Sequence, residues 1–146
     1  MSLFGALSVS ASGMAAERTR AELLTENLAN SETTRTVAGG PYRRKDAVFE
    51  TQPQTSPFSS VFQTELSEGM TGVRVSDIVQ DSSPPDQRYI PGHPDADEQG
   101  YVSYPHINPA EDMVDLLSSA RGYEANVAAM TAVKGMISSS IDLLRT

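Results

Sequence analysis

The sequence predicts a mainly α-helical protein with a small β insert, in which long N- and C-terminal helices form a coiled-coil pair. Three observations lead to this fold class. Apolar residues recur in alternating steps of three and four through residues 108–146. A weaker heptad stripe runs through residues 1–34, and short alternating runs between Pro- and Gly-rich turns fill residues 35–107. We therefore expect the first and last segments to pack together as helices, with residues 35–107 as a β-rich insert.

The C-terminal helix has a well-marked start and a regular apolar stripe. Asn108 can cap the helix, Pro109 suits its first position, and Glu111 stands at the third position of a capping box. The stripe consists of Met113, Leu116, Ala120, Tyr123, Val127, Met130, Ile137, Ile141 and Leu144. A period of about 3.5 residues is typical of helices that wind around other helices, so the stripe is predicted to be an assembly interface. Lys134 interrupts it, and we hypothesise that this charge fixes register by pairing with an acidic neighbour.

A second helix is predicted over residues 2–30, ending near Asn30. Its stripe, which joins the predicted assembly interface, consists of Leu7, Met14, Ala21 and Leu28, each one heptad apart. Serines and Gly13 interrupt its first half, and a glycine inside a helix costs about 1 kcal/mol relative to alanine. This helix is therefore expected to become ordered only when it is packed.

The middle region is predicted to contain short strands. Alternating apolar residues favour strands at 42–49 and 72–79, with shorter ones at 88–90 and 101–104. Residues 51–70 are rich in Ser, Thr, Gln and Pro, and such a long polar loop is usually functional or disordered. We expect it to be mobile until a neighbour orders it.

Composition excludes several classes of partner and chemistry. The formal net charge of −8 argues against nucleic acid, which requires clustered Lys and Arg. The absence of cysteine excludes disulfides and thiolate sites. No apolar run is long enough to insert into a membrane, and the N-terminus lacks the features of a cleaved signal peptide. With no Trp, five Tyr and four Phe, the chain has few residues for a large core, which favours stabilisation by assembly.

One polar cluster could suggest a metal or catalytic site. It comprises His93, Asp95, Asp97 and Glu98, with His106 and Asp112 further along. The spacing matches neither an EF-hand loop nor a helical His-Glu-x-x-His motif, and no nucleophile elbow or phosphate-binding loop is present. A rigid turn, in which Asp side chains bind their own backbone amides, is the favoured interpretation. We therefore predict no catalytic residue, no metal and no cofactor.

Several motifs along the chain resemble one known family. Residues 12–18 read Ser-Gly-Met-Ala-Ala-Glu-Arg, residues 26–30 read Glu-Asn-Leu-Ala-Asn, and residues 39–45 read Gly-Gly-Pro-Tyr-Arg-Arg-Lys. Further matching stretches are 91–97, 100–102, 111–116 and 120–127. Together they resemble the flagellar basal-body rod protein family, and within it the proximal-rod members. The resemblance covers nearly the whole chain except the loop 51–70.

The resemblance implies a non-enzymatic subunit of a helical tube that crosses the periplasm and transmits motor torque. Its implied partners are copies of itself, other flagellar rod proteins and the flagellar type III export apparatus, with no cleaved signal peptide. Two alternatives remain at this point. A cytosolic helical adaptor or chaperone would use the same stripe for one partner and be stably helical alone, whereas a rod subunit is expected to show little helix in isolation. A metal-dependent enzyme centred on His93 is the remaining alternative.

Overall fold

The computed structural model describes residues 3–53 and 71–143. Within these residues, two long helices flank four strands. The helices are α1 at Leu3–Ala29 and α2 at Pro109–Leu143. The strands are β1 at Lys45–Pro53, β2 at Thr71–Gln80, β3 at Asp86–Tyr89 and β4 at Tyr101–Tyr104. The predicted helices and small β insert are confirmed, whereas coiled-coil pairing of the helices stays a prediction.

The end of α1 and the start of α2 lie within one residue of the predicted positions. Helix α1 ends at Ala29, one residue before Asn30. Helix α2 begins at Pro109, and the Oδ1 atom of Asn108 accepts a 3.2 Å hydrogen bond from the Ala110 N–H. Asn108 is therefore the predicted N-cap, since its side chain satisfies a backbone donor of the first turn.

The strand boundaries differ from the predicted ones by two residues or more in β1 and β3, and by one residue at each end of β2. Strand β1 starts at Lys45, three residues later than expected, because the Tyr42 N–H is donated to the Thr33 carbonyl in a turn. The same strand continues to Pro53, so residues 51–53 of the predicted mobile loop are extended. The rest of that loop, residues 54–70, lies outside the described residues. Strand β3 begins two residues earlier than predicted, and β4 is as predicted.

Contacts divide the chain into two compact units. The helical unit comprises residues 1–19, 49–76 and 119–146, and the sheet unit comprises residues 20–48 and 77–118. Each unit therefore contains part of α1 and part of α2. The predicted organisation as segments 1–34, 35–107 and 108–146 stays a prediction.

Small side chains form the buried part of the helical unit. Ser10, Ala16, Ser119 and Val133 are each no more than 9% exposed. The Oγ atom of Ser12 accepts a 3.1 Å hydrogen bond from the Val73 N–H, which ties β2 to α1. Burial of such small groups contributes little hydrophobic free energy, since that term scales with the apolar area removed from water.

The sheet unit has a more varied core. Leu23, Leu24, Tyr42 and Val102 are buried apolar residues, and Val102 is fully buried in β4. Strands β3 and β4 are antiparallel, with Asp86 opposite Tyr104 and Tyr89 opposite Tyr101. No helix within the described ranges is long and apolar enough to span a membrane.

Candidate assembly surface

The predicted stripe on α2 is mostly exposed in the single chain. Its exposed members are Met113, Ala120, Tyr123, Val127 and Ile141, and its half-buried members are Leu116, Met130 and Ile137. Leu144 lies outside the described residues. The four stripe residues of α1, Leu7, Met14, Ala21 and Leu28, are half-buried. Five apolar side chains of the α2 stripe are therefore exposed and can contact other molecules.

The residues of α2 that contact α1 in the helical unit precede the stripe by one position. Ser119 donates a 2.7 Å hydrogen bond from Oγ to the Glu17 carbonyl. Gly122 lies so close to Glu17 that a Cβ atom there would be 3.2 Å from its carboxyl carbon. Asn126 lies closer still to Gly13, where a Cβ atom would be 3.0 Å from its amide atoms. Because one residue turns a helix by about 100°, contact through Ser119, Gly122 and Asn126 points their neighbours Ala120, Tyr123 and Val127 away from the centre of the α1–α2 contact.

The C-terminal half of α2 carries little charge and has exposed apolar residues on more than one face. Lys134 is its only charged residue between positions 125 and 141. Exposed apolar residues on faces outside the stripe are Ala125, Ala128, Ala129, Ala132 and Met136. Apolar residues therefore lie on more than one face of this half, so we expect it to contact more than one other helix. Lys134 forms no ion pair with any part of the chain that the structure describes, and its proposed acidic partner stays a prediction.

The sheet unit contains a buried amide that joins α1 to the start of β1. Asn27 is fully buried. Its Oδ1 accepts hydrogen bonds from the Lys45 N–H at 2.9 Å and the Tyr42 hydroxyl at 3.0 Å, and its Nδ2 donates to the Lys45 carbonyl at 2.9 Å. The amide thus binds both backbone groups of Lys45, as a neighbouring strand would. Burial, with a contribution from Glu26, raises the pKa of the Tyr42 phenol to about 12, which keeps it a hydrogen-bond donor.

A buried ion pair joins α2 to the chain just before β1. The Asp112 side chain is 1% exposed, and its Oδ1 lies 3.1 Å from Nη2 of Arg44. The pair is not aligned as a hydrogen bond, and neither carboxylate oxygen accepts one from the described residues. Burial raises the pKa of the Asp112 carboxyl, and the charge of Arg44 lowers it. Nearby carboxylates, chiefly that of Asp46, raise it further.

The polar cluster at residues 91–100 has the geometry of the turn interpretation. His93 Nδ1 accepts the Asp95 N–H at 3.1 Å, and Asp97 Oδ1 accepts the N–H groups of Gln99 and Tyr101. Asp95 accepts a 2.8 Å hydrogen bond from the Thr34 hydroxyl. Within residues 3–53 and 71–143, no three His or acidic side chains converge as a metal site would require.

Comparison with known proteins decides the family. Residues 98–143 match a family model described as the C-terminal part of flagellar basal body rod FlgEFG proteins. The flagellar basal-body rod protein FlgC of Bacillus subtilis is 43% identical, covering 98% of this chain and 99% of the relative. This chain belongs to the FlgC family.

Other FlgC relatives match over a similar extent. The protein of Borreliella burgdorferi is 38% identical over 99% of both chains, and that of Escherichia coli O6:H1 is 32% identical over 98% of both. FlgC proteins are structural components of the flagellar basal-body rod and are not enzymes. The adaptor and metal-enzyme alternatives are therefore set aside.

Several residues in the motifs that resemble the rod-protein family form the buried polar contacts described above. The sequence alone did not show that these residues are in contact. Glu17 lies in the motif at 12–18, Asn27 in that at 26–30 and Arg44 in that at 39–45. Asp112 and Asn126 lie in the two motifs of α2. One signal was available for Asn27, because it lies one helical turn beyond the apolar pair Leu23 and Leu24 and hence on the same face of α1.

Proposed function

We propose that this FlgC-family chain is a subunit of the proximal rod and polymerises through its terminal helices into a helical tube. The tube would cross the periplasm and transmit torque from the motor. The observation that carries the proposal is the exposure of an apolar stripe along α2, with Tyr123 41% and Val127 42% exposed in the single chain. Contiguous exposed apolar surface of this kind marks sites of protein association.

The geometry of α2 suits contact with several neighbours. Its 35 residues correspond to about 52 Å at 1.5 Å per residue. One face contacts α1, whereas the stripe and the apolar residues of the C-terminal half remain exposed. Two different faces favour heterologous contacts, which allow open helical growth, whereas a single self-complementary face would close into a dimer.

The partners follow from the same proposal. They are copies of this chain, other flagellar rod proteins and the flagellar type III export apparatus, which would export the chain to the periplasm without a cleaved signal peptide. The small side chains buried in the helical unit support this route, because a weakly stabilised unit opens easily before export. Assembly would then cover the stripe and stabilise both helices.

Replacing Val127 with aspartate tests the assembly surface. We expect export to continue at the wild-type level, whereas rod assembly and swimming are lost, because a carboxylate at the centre of a helix interface must be desolvated without a partner. Secreted protein is measured by immunoblotting, assembled rods by isolation of basal bodies, and swimming by spreading in soft agar.

The matched control is Ser118→Asp, which introduces the same carboxylate at an exposed position of α2 outside the stripe. This control is expected to assemble and swim normally. Wild-type rod assembly by the Val127→Asp protein would show that the stripe is not the assembly surface.

A further inference from the structure

Two glycines on opposite helices of the helical unit each lie against a polar side chain of the other helix. A Cβ atom placed on Gly13 of α1 would lie 3.0 Å from the amide atoms of Asn126 in α2. One placed on Gly122 of α2 would lie 3.2 Å from the carboxyl group of Glu17 in α1. In both helices the glycine precedes the polar residue by four positions, which is about one helical turn. The two contacts are therefore reciprocal and antiparallel.

A Cβ atom on either glycine would force the partner side chain to move by a few tenths of an ångström. Glycine is unfavourable inside a helix relative to alanine, so its presence needs a compensating contact. Asn126 is held in place because its Nδ2 donates a 2.9 Å hydrogen bond to the carbonyl of Gly122. Ser119 adds a direct hydrogen bond to the α1 backbone at Glu17. Gly135, on the same helix, differs because a Cβ atom there would meet nothing within 4 Å.

The pattern penalises the nearest alternative registers. If α1 slid by one turn in one direction, Glu17 would face Asn126, and two polar side chains would compete for one space. If it slid by one turn in the other direction, Gly13 would face Gly122 and leave a void. Overpacking and voids both destabilise a packed interface, so one register is favoured over both slipped ones.

We infer that Gly13, Glu17, Gly122 and Asn126 form a register motif, by which the chain recognises its own helix α1 as the partner of α2. The motif consists of glycines and polar side chains, whereas the stripe that contains Val127 is apolar. The two faces of α2 therefore distinguish the chain's own helix from the helices of other subunits. Only this last step rests on the proposed function, because pairing within the chain does not require a rod.

Three glycine-to-alanine variants of the full chain test the need for close approach. They are studied as isolated protein, because both helices are formed in the single chain. Gly135→Ala is expected to increase helical circular dichroism and raise the melting temperature by about 2–4 °C, since helix propensity improves with no steric cost. Gly13→Ala and Gly122→Ala have the same gain in propensity but are expected to melt at a lower temperature than Gly135→Ala, because the partner side chain must move to make room for the Cβ atom. Equal behaviour of the three variants would overturn the inference.

An exchange of the two residues at one contact tests the reciprocity. Glu17→Gly alone leaves a void, and Gly122→Glu alone places two carboxylates together, so each is expected to lower the melting temperature. The double variant Glu17→Gly/Gly122→Glu restores one side chain facing one glycine, and we expect it to recover more than half of the larger loss. A double variant no more stable than the worse single variant would contradict the register motif.

Spin labels report the register directly. The chain has no cysteine, so labelled cysteines at the exposed positions Ala11 and Ala128 give a single pair of probes. In the otherwise unchanged chain we expect a single narrow distribution of distances between the two labels. In Glu17→Gly we expect a second population, whose distance differs by up to about 5 Å, the rise of one helical turn. A distance distribution unaffected by Glu17→Gly would also count against the motif. Because these measurements use unassembled protein, their failure is independent of the Val127→Asp result.

Discussion

Replacing Asn27 with alanine is expected to lower the free energy of unfolding by about 2–4 kcal/mol. The substitution removes three hydrogen bonds at once. It leaves the Lys45 N–H and carbonyl without their side-chain partner and the Tyr42 hydroxyl with Glu26 as its remaining neighbour. Each buried polar group left unpaired costs about 1–3 kcal/mol, and the half-buried position of Lys45 lets water recover part of that cost. Urea unfolding followed by circular dichroism measures the total, and hydrogen exchange of the Lys45 amide measures the local loss.

Two further variants test whether the loss of stability comes from the hydrogen bonds of Asn27 or from any substitution near the end of α1. Tyr42→Phe removes one hydrogen bond and leaves the backbone of Lys45 bound, so we expect a loss of about 1 kcal/mol. Asn30→Ala is the matched control, because Asn30 is also an asparagine near the end of α1 but its side chain bonds only nearby residues, donating to the Glu26 carbonyl and accepting from the Thr33 hydroxyl. A similar loss for Asn30→Ala and Asn27→Ala would mean that the contacts of Asn27 with Lys45 are not what stabilises this region.

The sequence was sufficient for elements that depend on local chemistry. The start of α2 was predictable because Asn108 and Pro109 satisfy the geometry of a helix N-terminus without help from distant residues. Strand β4 was equally predictable, since alternating residues between a glycine and a proline favour an extended segment. Strand β1 was misplaced by three residues because its start depends on contacts with distant residues: the Tyr42 N–H donates to the Thr33 carbonyl, and the Lys45 backbone binds Asn27.

Periodicity could not show which face of α2 contacts α1. A heptad repeat identifies a stripe, but an apolar stripe can serve the chain's own helix or a neighbour's equally well. In the helical unit α1 contacts Ser119, Gly122 and Asn126, and none of these stood out as a packing residue from hydropathy. Small and polar residues become recognisable as contacts only when the opposite helix supplies a matching shape. The same limitation hid Asp112, since a carboxylate in the first turn of a helix usually faces solvent.

Replacing Arg44 with methionine is expected to destabilise the protein by about 2–4 kcal/mol at pH 7. The change leaves the carboxylate of Asp112 buried without an opposite charge, and breaking a buried ion pair in this way typically costs 3–5 kcal/mol. We expect somewhat less here because the Arg44 side chain is 23% exposed and Asp112 can escape its charge by protonation. The double variant Arg44→Met/Asp112→Leu removes both charges and is expected to recover most of the stability. If the double variant is no more stable than Arg44→Met, the loss of stability is caused by altered packing and not by the unpaired charge.

The contribution of Asp112 to the free energy of unfolding depends on pH, and the direction follows from its raised pKa. Burial raises the pKa of this carboxyl above its ordinary value of 3.8, so folding favours the protonated form. The favourable contribution is fully present below pH 3.8 and is lost as the pH rises through the raised pKa of the folded state. The free energy of unfolding of the unchanged protein minus that of Asp112→Asn is therefore expected to fall as the pH rises through this interval and then to become constant. Urea unfolding of both proteins across this range measures the difference. A difference that increases with pH would mean that attraction to Arg44 outweighs desolvation and that the pKa of Asp112 is lowered instead.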